Sequence, residues 1–259
     1  MKRTFNFAKR NFIEMFRDPL SFIFGLGFPF IMLALFAIIN NYTNGNTPMF
    51  EARALVPGVM VFSYSFIMLL MSLLVSKDRK TLLLKRLYTS PMRINEFIFG
   101  YAIPGLCLGF LQSIICILGG LIIYLPISGD YFTFTQSILL FVSQLPMLVT
   151  SVFLGILFGS VLNEKSAPAV SSVFISASGI IGGSWMPLDT MGEFETFCRF
   201  LPFYPSVYLG RILVEASHTN GEKYIFDNIA SLGLIPIVVA LILSVVLSIL
   251  AFSYQSKKD

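Results

Sequence analysis

The stretch SKDRKTLLLKRLYTSPMR, residues 76–93, sets six Lys or Arg and a single acid, Asp78, between two long runs without charge. The run before it, 54–76, and the run after it, 97–129, contain no Asp, Glu, Lys or Arg. A helix needs about 20 apolar residues to cross a hydrocarbon core about 30 Å thick, and each run supplies them. Four more charge-free windows lie at 19–50, 131–163, 166–188 and 228–256. Trimmed of polar ends, the six windows predict transmembrane helices at 20–39, 55–75, 97–125, 136–162, 167–187 and 229–254, within a single transmembrane domain of 1–259. Barrel strands alternate over about 10 residues, whereas these runs are continuously apolar. Helices also satisfy their own backbone groups in lipid. The expected fold is an all-α integral membrane protein.

Composition agrees. The 259 residues are 56% hydrophobic and 12% charged, with a mean hydropathy of +0.80, while soluble domains carry about 25% charged residues. The net charge of +4 is dealt out by position rather than gathered on one surface, so no nucleic-acid partner is implied. Cys107 and Cys116 sit inside an apolar run and read as small buried hydrophobes, not as a disulfide framework. The N-terminal segment lacks a small-residue cleavage site and reads as retained.

Lys and Arg set the orientation. With six spans, residues 1–19, 76–96, 163–166 and the C-terminus share one side, which holds 14 of the 18 basic residues. The other side has only Arg53, Arg199, Arg211 and Lys223. Both termini are therefore expected in the cytoplasm. Residues 1–17 place Phe5, Ala8, Phe12, Met15 and Phe16 near one stripe, predicting an amphipathic interfacial helix that Asp18-Pro19 ends. Between spans five and six, Pro202 and Pro205 divide an aromatic, charged stretch into two short helices, expected to be re-entrant or to lie on the outer leaflet.

Chemistry-bearing motifs are scarce. The chain has no phosphate-binding loop, no H-E-x-x-H and no G-x-S-x-G, and its one histidine, His218, falls in the outer loop. The predicted spans hold no ionisable Asp, Glu, Lys, Arg or His, unlike most ion-coupled transporters. They do hold the glycine pairs Gly105/Gly109, Gly155/Gly159 and Gly179/Gly183, which read first as close helix packing. Gly179 and Gly183, in the thin SASGIIGGSW stretch, also suit a hinge or subunit interface. Met60, Met68 and Met71, with Phe62 and Phe66, offer a pliable apolar wall.

In the opening stretch, Leu83, Leu84, Leu87 and Tyr88 form one face of a short helix flanked by Lys80, Lys85 and Arg86. Thr89-Ser90-Pro91 ends it, and Asn95 is expected to cap the third span. Positive charge alone would serve as a topology anchor beside anionic lipid. The added apolar stripe suits docking into a groove of a cytosolic partner.

These elements together resemble the permease subunit of bacterial type-2 ABC exporters. The resemblance rests on the basic N-terminal helix, Thr81-Leu82, Lys85-Arg86-Leu87 and Thr89-Ser90-Pro91. Later in the chain it rests on Ser178-Gly179, Met186-Pro187-Leu188, Leu201-Pro202-Phe203-Tyr204-Pro205 and Arg211. It implies two permease copies, identical or related, paired with two copies of a separate ABC ATPase. ATP and Mg would belong to that partner, with no cofactor in this chain. It implies ATPase coupling through Phe12, Phe16, Thr81, Leu83, Leu84, Lys85, Arg86 and Leu87. The pathway would use Met68, Met71, Phe174 and Ser178, and Leu201, Pro202 and Tyr204 would form an outer gate. The expected cargo is amphiphilic: a drug, a peptide antibiotic or a lipid-like molecule, expelled across a bacterial cell membrane. Two rival readings are an ion-coupled secondary transporter and a non-transporting membrane immunity or scaffold protein.

Overall fold

The computed structural model describes residues 2–19, 23–43, 48–81, 83, 93–128, 131–218, 221–226 and 228–258. The described residues form helices and no strands, with one isolated bridge between Ser217 and Lys223. Among the described residues, nine α-helices follow in order: α1 Lys2–Arg17, α2 Phe28–Tyr42, α3 Ala52–Lys80, α4 Ile94–Ser128, α5 Phe134–Val161, α6 Ser166–Ile181, α7 Glu193–Cys198, α8 Phe203–Leu213 and α9 Asn228–Lys258. Among the described residues, five helical segments are long and apolar enough to cross a membrane: Ile23–Tyr42, Ala52–Lys80, Ile94–Ile127, Phe134–Val161 and Gly233–Gln255.

The expected fifth span, 167–187, is shorter than the sequence suggested. Helix α6 has 16 residues and stops at Ile181, a length of about 24 Å at 1.5 Å per residue. Gly182 and Gly183 end it. Gly183 adopts φ +61°, a conformation that side chains resist, and the chain turns back there. The first span also departs from a plain helix, opening with a π-helical turn at Ile23–Gly27. Pro29 explains it, because it has no N–H to offer the Gly25 carbonyl four residues earlier.

Helix α3 is the central post. Of its most apolar window, 89% is buried against the rest of the chain, compared with 17% for α9. Its closest partner is α5, where Gly155 lies against the Met68 carbonyl and Gly159 against that of Ser72. Gly105 and Gly109 of α4 receive Met71 and Leu148 in the same way. The α4 and α5 glycines thus serve packing within the bundle. Two serine pairs join α3 to α6: Ser65 donates to Ser178 at 2.7 Å, and Ser72 and Ser171 lie 3.0 Å apart. Such hydroxyl pairs substitute for a hydrophobic drive that lipid does not provide. Opposite faces of α2, α4 and α9 leave large apolar side chains exposed, among them Ile31, Leu118, Ile242 and Leu243. A surface that apolar is a membrane surface.

Helix α1 forms as expected, but the sequence stripe chose its buried face only in part. Phe7, Ala8, Asn11 and Met15 are buried against the bundle, while Phe5 and Phe12 point outward and Phe16 is half-buried. Asn11 was invisible as a core residue because it is polar. It is buried because its amide donates to the Gly100 carbonyl at 3.1 Å. Asn95 does not cap α4 either. The helix begins a residue earlier, and Glu96 accepts the Arg93 backbone N–H at 2.8 Å.

Candidate functional site

The basic end of the bundle gathers the charges that precede and follow the spans. Asp78, in the last turns of α3, is buried to 1% exposure. A carboxylate so placed must be bonded on most of its lone pairs. Arg10 of α1 donates two parallel bonds to it, at 2.6 and 2.9 Å, and Tyr101 of α4 donates a third at 2.8 Å. The forked guanidinium suits this two-point contact in a way a lysine would not. Arg10 also pairs with Glu14 at 2.5 Å, and Glu14 accepts from Lys77 at 2.8 Å. Partial burial alone would lower the Arg10 pKa. The bonds Arg10 donates to Asp78 and the fields of Asp78 and Glu14 outweigh that, leaving it raised.

Apolar contacts reinforce the polar ones. The Phe7 ring meets Tyr101 edge-on at 4.9 Å and Phe97 at 6.1 Å. Gly100 leaves room for the Phe7 ring, since a Cβ there would come within 2.4 Å of it. On the far side of α3, Arg79 donates to the Ser160 carbonyl and Lys80 pairs with Glu164. One amphipathic helix is thus bolted to the end of α3 and the start of α4, the two stems of the basic loop.

Of the residues expected to meet an ATPase, Phe12 and Phe16 stack on α1 with ring centroids 4.3 Å apart. Phe12 is exposed, as is Thr81 at the end of α3, and Leu83 is half-buried. Leu84, Lys85, Arg86 and Leu87, and with them the expected coupling helix, lie outside the described residues.

The expected pathway residues sit mostly inside the single chain. Met71 is fully buried with its sulfur toward Gly105, and Met68 is buried beside Gly155. Ser178 is buried against Ser65, and only Phe174 is partly open, its ring 5.0 Å from Phe158. The outward face of α6 carries Ala169, Ser172, Val173, Ser176 and Ile180. Gly179 lies beneath the Trp185 ring.

At the opposite end, α8 is a core element rather than a surface helix. Phe203 to Tyr208, Gly210 and Arg211 are buried. Gln144 of α5 and Ser206 exchange two hydrogen bonds, Gln144 donating at 3.0 Å and Ser206 at 2.7 Å. Arg211, 1% exposed, donates to the Ala54 carbonyl at 3.0 Å and the Gly183 carbonyl at 2.7 Å, and faces the Tyr224 ring. It ties the turn after α6 to the start of α3. Tyr204 donates to Glu195 at 2.7 Å, and Arg199 holds the same carboxylate. Leu201 and Pro202 are half-buried beside them. His218 pairs with Asp189 at 3.1 Å and stacks on Tyr224.

The sequence named Asp78 and Arg211 without their roles as buried anchors, and gave no role to Arg10 or Tyr101 in the Asp78 contact. The available signals were slight: Asp78 is the lone acid among six bases, and Arg211 the lone cation between Phe200 and Val214.

The fold and its apolar faces define a multi-pass helical membrane protein. The family model described as ABC-2 type transporter matches residues 3–214, and the chain belongs to that family. It is a transport permease rather than an enzyme, and membership implies an ABC ATPase as partner. No match to a curated protein is found.

Proposed function

We propose that the chain is the membrane half of an ATP-driven exporter, moving an amphiphilic cargo out of the cytoplasm or the inner leaflet of a bacterial cell membrane. In this reading the basic end faces the cytosol, both termini lie there, and α6 serves as a short fifth of six spans. Helix α1 lies along the membrane interface, and α7 and α8 close the outer side with Leu201, Pro202 and Tyr204. Two copies of the chain, or this chain with a related permease, pair with two ATPase subunits that hold ATP and Mg. Closure of the ATPases pushes on Phe12, Phe16, Thr81, Leu83, Leu84, Lys85, Arg86 and Leu87. Gly179 and Gly183 give α6 its hinge, and Met68, Met71, Phe174 and Ser178 become accessible to cargo as α3 and α6 separate.

The observation that carries the reading is the attachment of α1 to both stems of the basic loop through Asp78. A force applied to either the loop or α1 reaches α3, and α3 touches most of the bundle. Such a linkage has no evident use in a carrier driven by an ion gradient. The test is ATP hydrolysis and cargo efflux by the reconstituted complex. Leu84→Asp or Leu87→Asp should abolish cargo-stimulated hydrolysis and efflux while leaving the permease folded. Efflux that persists in either variant, or without a functional ATPase, overturns the reading.

A further inference from the structure

Two glutamines lie fully buried on the spans, Gln144 on α5 and Gln112 on α4. Gln144 exchanges two hydrogen bonds with Ser206. Gln112 makes none: among the described residues, neither its Oε1 nor its Nε2 has a hydrogen-bond partner. It stands about halfway along the crossing segment Ile94–Ile127, at a depth where lipid offers an amide nothing in exchange. Leaving it so raises the free energy of this conformation relative to any in which the amide is bonded.

The seam around Gln112 holds a matching group. Leu108, Gln112 and Gly119 follow the i, i+4, i+11 spacing of one helical stripe. That stripe faces the first span. A Cβ on Gly25 would lie 3.3 Å from the Leu108 side chain, and one on Gly119 would lie 3.0 Å from Phe30 and 3.8 Å from Leu33. The two helices therefore run side by side in one direction, with Gln112 level with the stretch between Gly25 and Phe30. That stretch contains the end of the π-helical turn and the buried Pro29. Helical carbonyls point toward the C-terminal end, so the Gly25 carbonyl points toward the level of Gln112, and Pro29 denies it the usual donor. In this conformation the two are not bonded to each other.

The same turn is where displacement concentrates. It opens the span that follows α1, and α1 is fixed to α3 through Asp78 and to α4 through Asn11. A push on α1 carries α4 along and shifts it against α2. We propose that Gln112 is a built-in latch for a second conformation, in which α4 slides along α2 and the Gln112 amide donates to the Gly25 carbonyl. The unbonded amide weakens the conformation described above and the new bond favours the second, so both act in one direction. That ATPase closure drives the exchange rests on the exporter reading; the two-state seam itself does not.

The test compares the full chain carrying Gln112→Met, which keeps the side-chain length and removes both polar atoms, with Gln144→Met. In detergent, Gln112→Met should raise the unfolding temperature by about 2–4 °C. Gln144→Met should lower it, because Ser206 loses its partner. Nitroxides on Ile31→Cys and Leu118→Cys, exposed positions of α2 and α4, read the distance across the seam in a chain whose three native cysteines are replaced by alanine. The chain in complex with ATP and a hydrolysis-deficient ATPase should show a second distance. Gln112→Met should cut its share about fivefold, and so should Pro29→Ala, which returns a donor to the Gly25 carbonyl. The double variant should lose no more than either single one, since both remove the same bond. A lower unfolding temperature in Gln112→Met, a single seam distance in every state, or additive losses in the double variant overturns the latch. Efflux that persists without a functional ATPase overturns the exporter reading instead, and the melting order of the chain alone then still decides the latch.

Discussion

Asp78 shows how one buried carboxylate can organise an end of a membrane protein. It accepts from Arg10 and Tyr101, residues of two other helices, so its removal breaks three hydrogen bonds at once and uncouples α1 and α4 from α3. Breaking a buried ion pair costs about 3–5 kcal/mol. Arg10 keeps 40% of its side chain exposed and can rehydrate, which places Asp78→Ala at the lower bound, about 3 kcal/mol. The corresponding measurement is thermal unfolding of the purified full chain, read as loss of the monodisperse peak after heating. Asp78→Asn, which keeps the shape and one acceptor, should lose less. Equal losses would mean that the charge, not the shape, holds this corner, and a reversed order would mean that an amide N–H set against the Arg10 and Tyr101 donors costs more than an empty site. Little of this was legible in the sequence, where Asp78 reads as one acid in a basic loop. Its partners come from residues 68 positions before and 23 after, and no local pattern encodes such contacts. The anchoring role of Arg211 was hidden for the same reason, since its carbonyl acceptors lie on α3 and on the turn after α6.

Elements were far easier to read than residues, because length and lack of charge are local properties. Helix α3 was expected at 55–75 and spans Ala52–Lys80; α5 was expected at 136–162 and spans Phe134–Val161. The misjudged element was α6, where a charge-free window concealed a helix stop. Hydropathy cannot see that Gly183 turns to positive φ or that Arg211 caps its carbonyl. The glycines announced close packing but not which of them could be replaced. A Cβ on Gly155 would lie 2.5 Å from the Met68 carbonyl oxygen and 2.7 Å from Met71 Cβ, atoms fixed to a neighbouring helix. A Cβ on Gly119 would crowd the Phe30 ring edge, at 3.0 Å, and touch Leu33 at an ordinary 3.8 Å, and Phe30 is 41% exposed with room to tilt. Gly155→Ala should therefore destabilise by about 1–3 kcal/mol. Gly119→Ala should stay within about 0.5 kcal/mol of neutral, because the alanine's helical preference offsets the small shift. Side-by-side melting curves of the two variants decide the matter, and equal losses would contradict the tight α3–α5 seam.

At the scale of the whole molecule, hydropathy does not tell which span is buried: Ile23–Tyr42 and α3 share a mean hydropathy of 2.2, yet 28% of one window and 89% of the other is buried. The most apolar span window, in α9 with a mean hydropathy of 3.0, is the least buried, while α3 at 2.2 is the most buried. This follows from the solvent. Lipid tails are as apolar as leucine, so an outward leucine loses nothing there, and the interior is selected for close fit, glycine and serine pairs instead. Hydropathy could therefore show that α9 spans, yet not that it lines the outside. The consequence is measurable with two truncations of similar chemistry. Ile67 is fully buried at the centre of α3, whereas Leu243 on α9 is 52% exposed. Ile67→Ala opens a cavity among fixed neighbours and should cost about 3 kcal/mol, seen as a lower unfolding temperature in detergent. Leu243→Ala removes contacts that lipid or detergent can replace, so its cost should stay below about 1 kcal/mol. A large loss at Leu243 would mean that this face of α9 is covered by protein in the assembled transporter, and cross-linking between two copies bearing a cysteine at that position would then locate the cover.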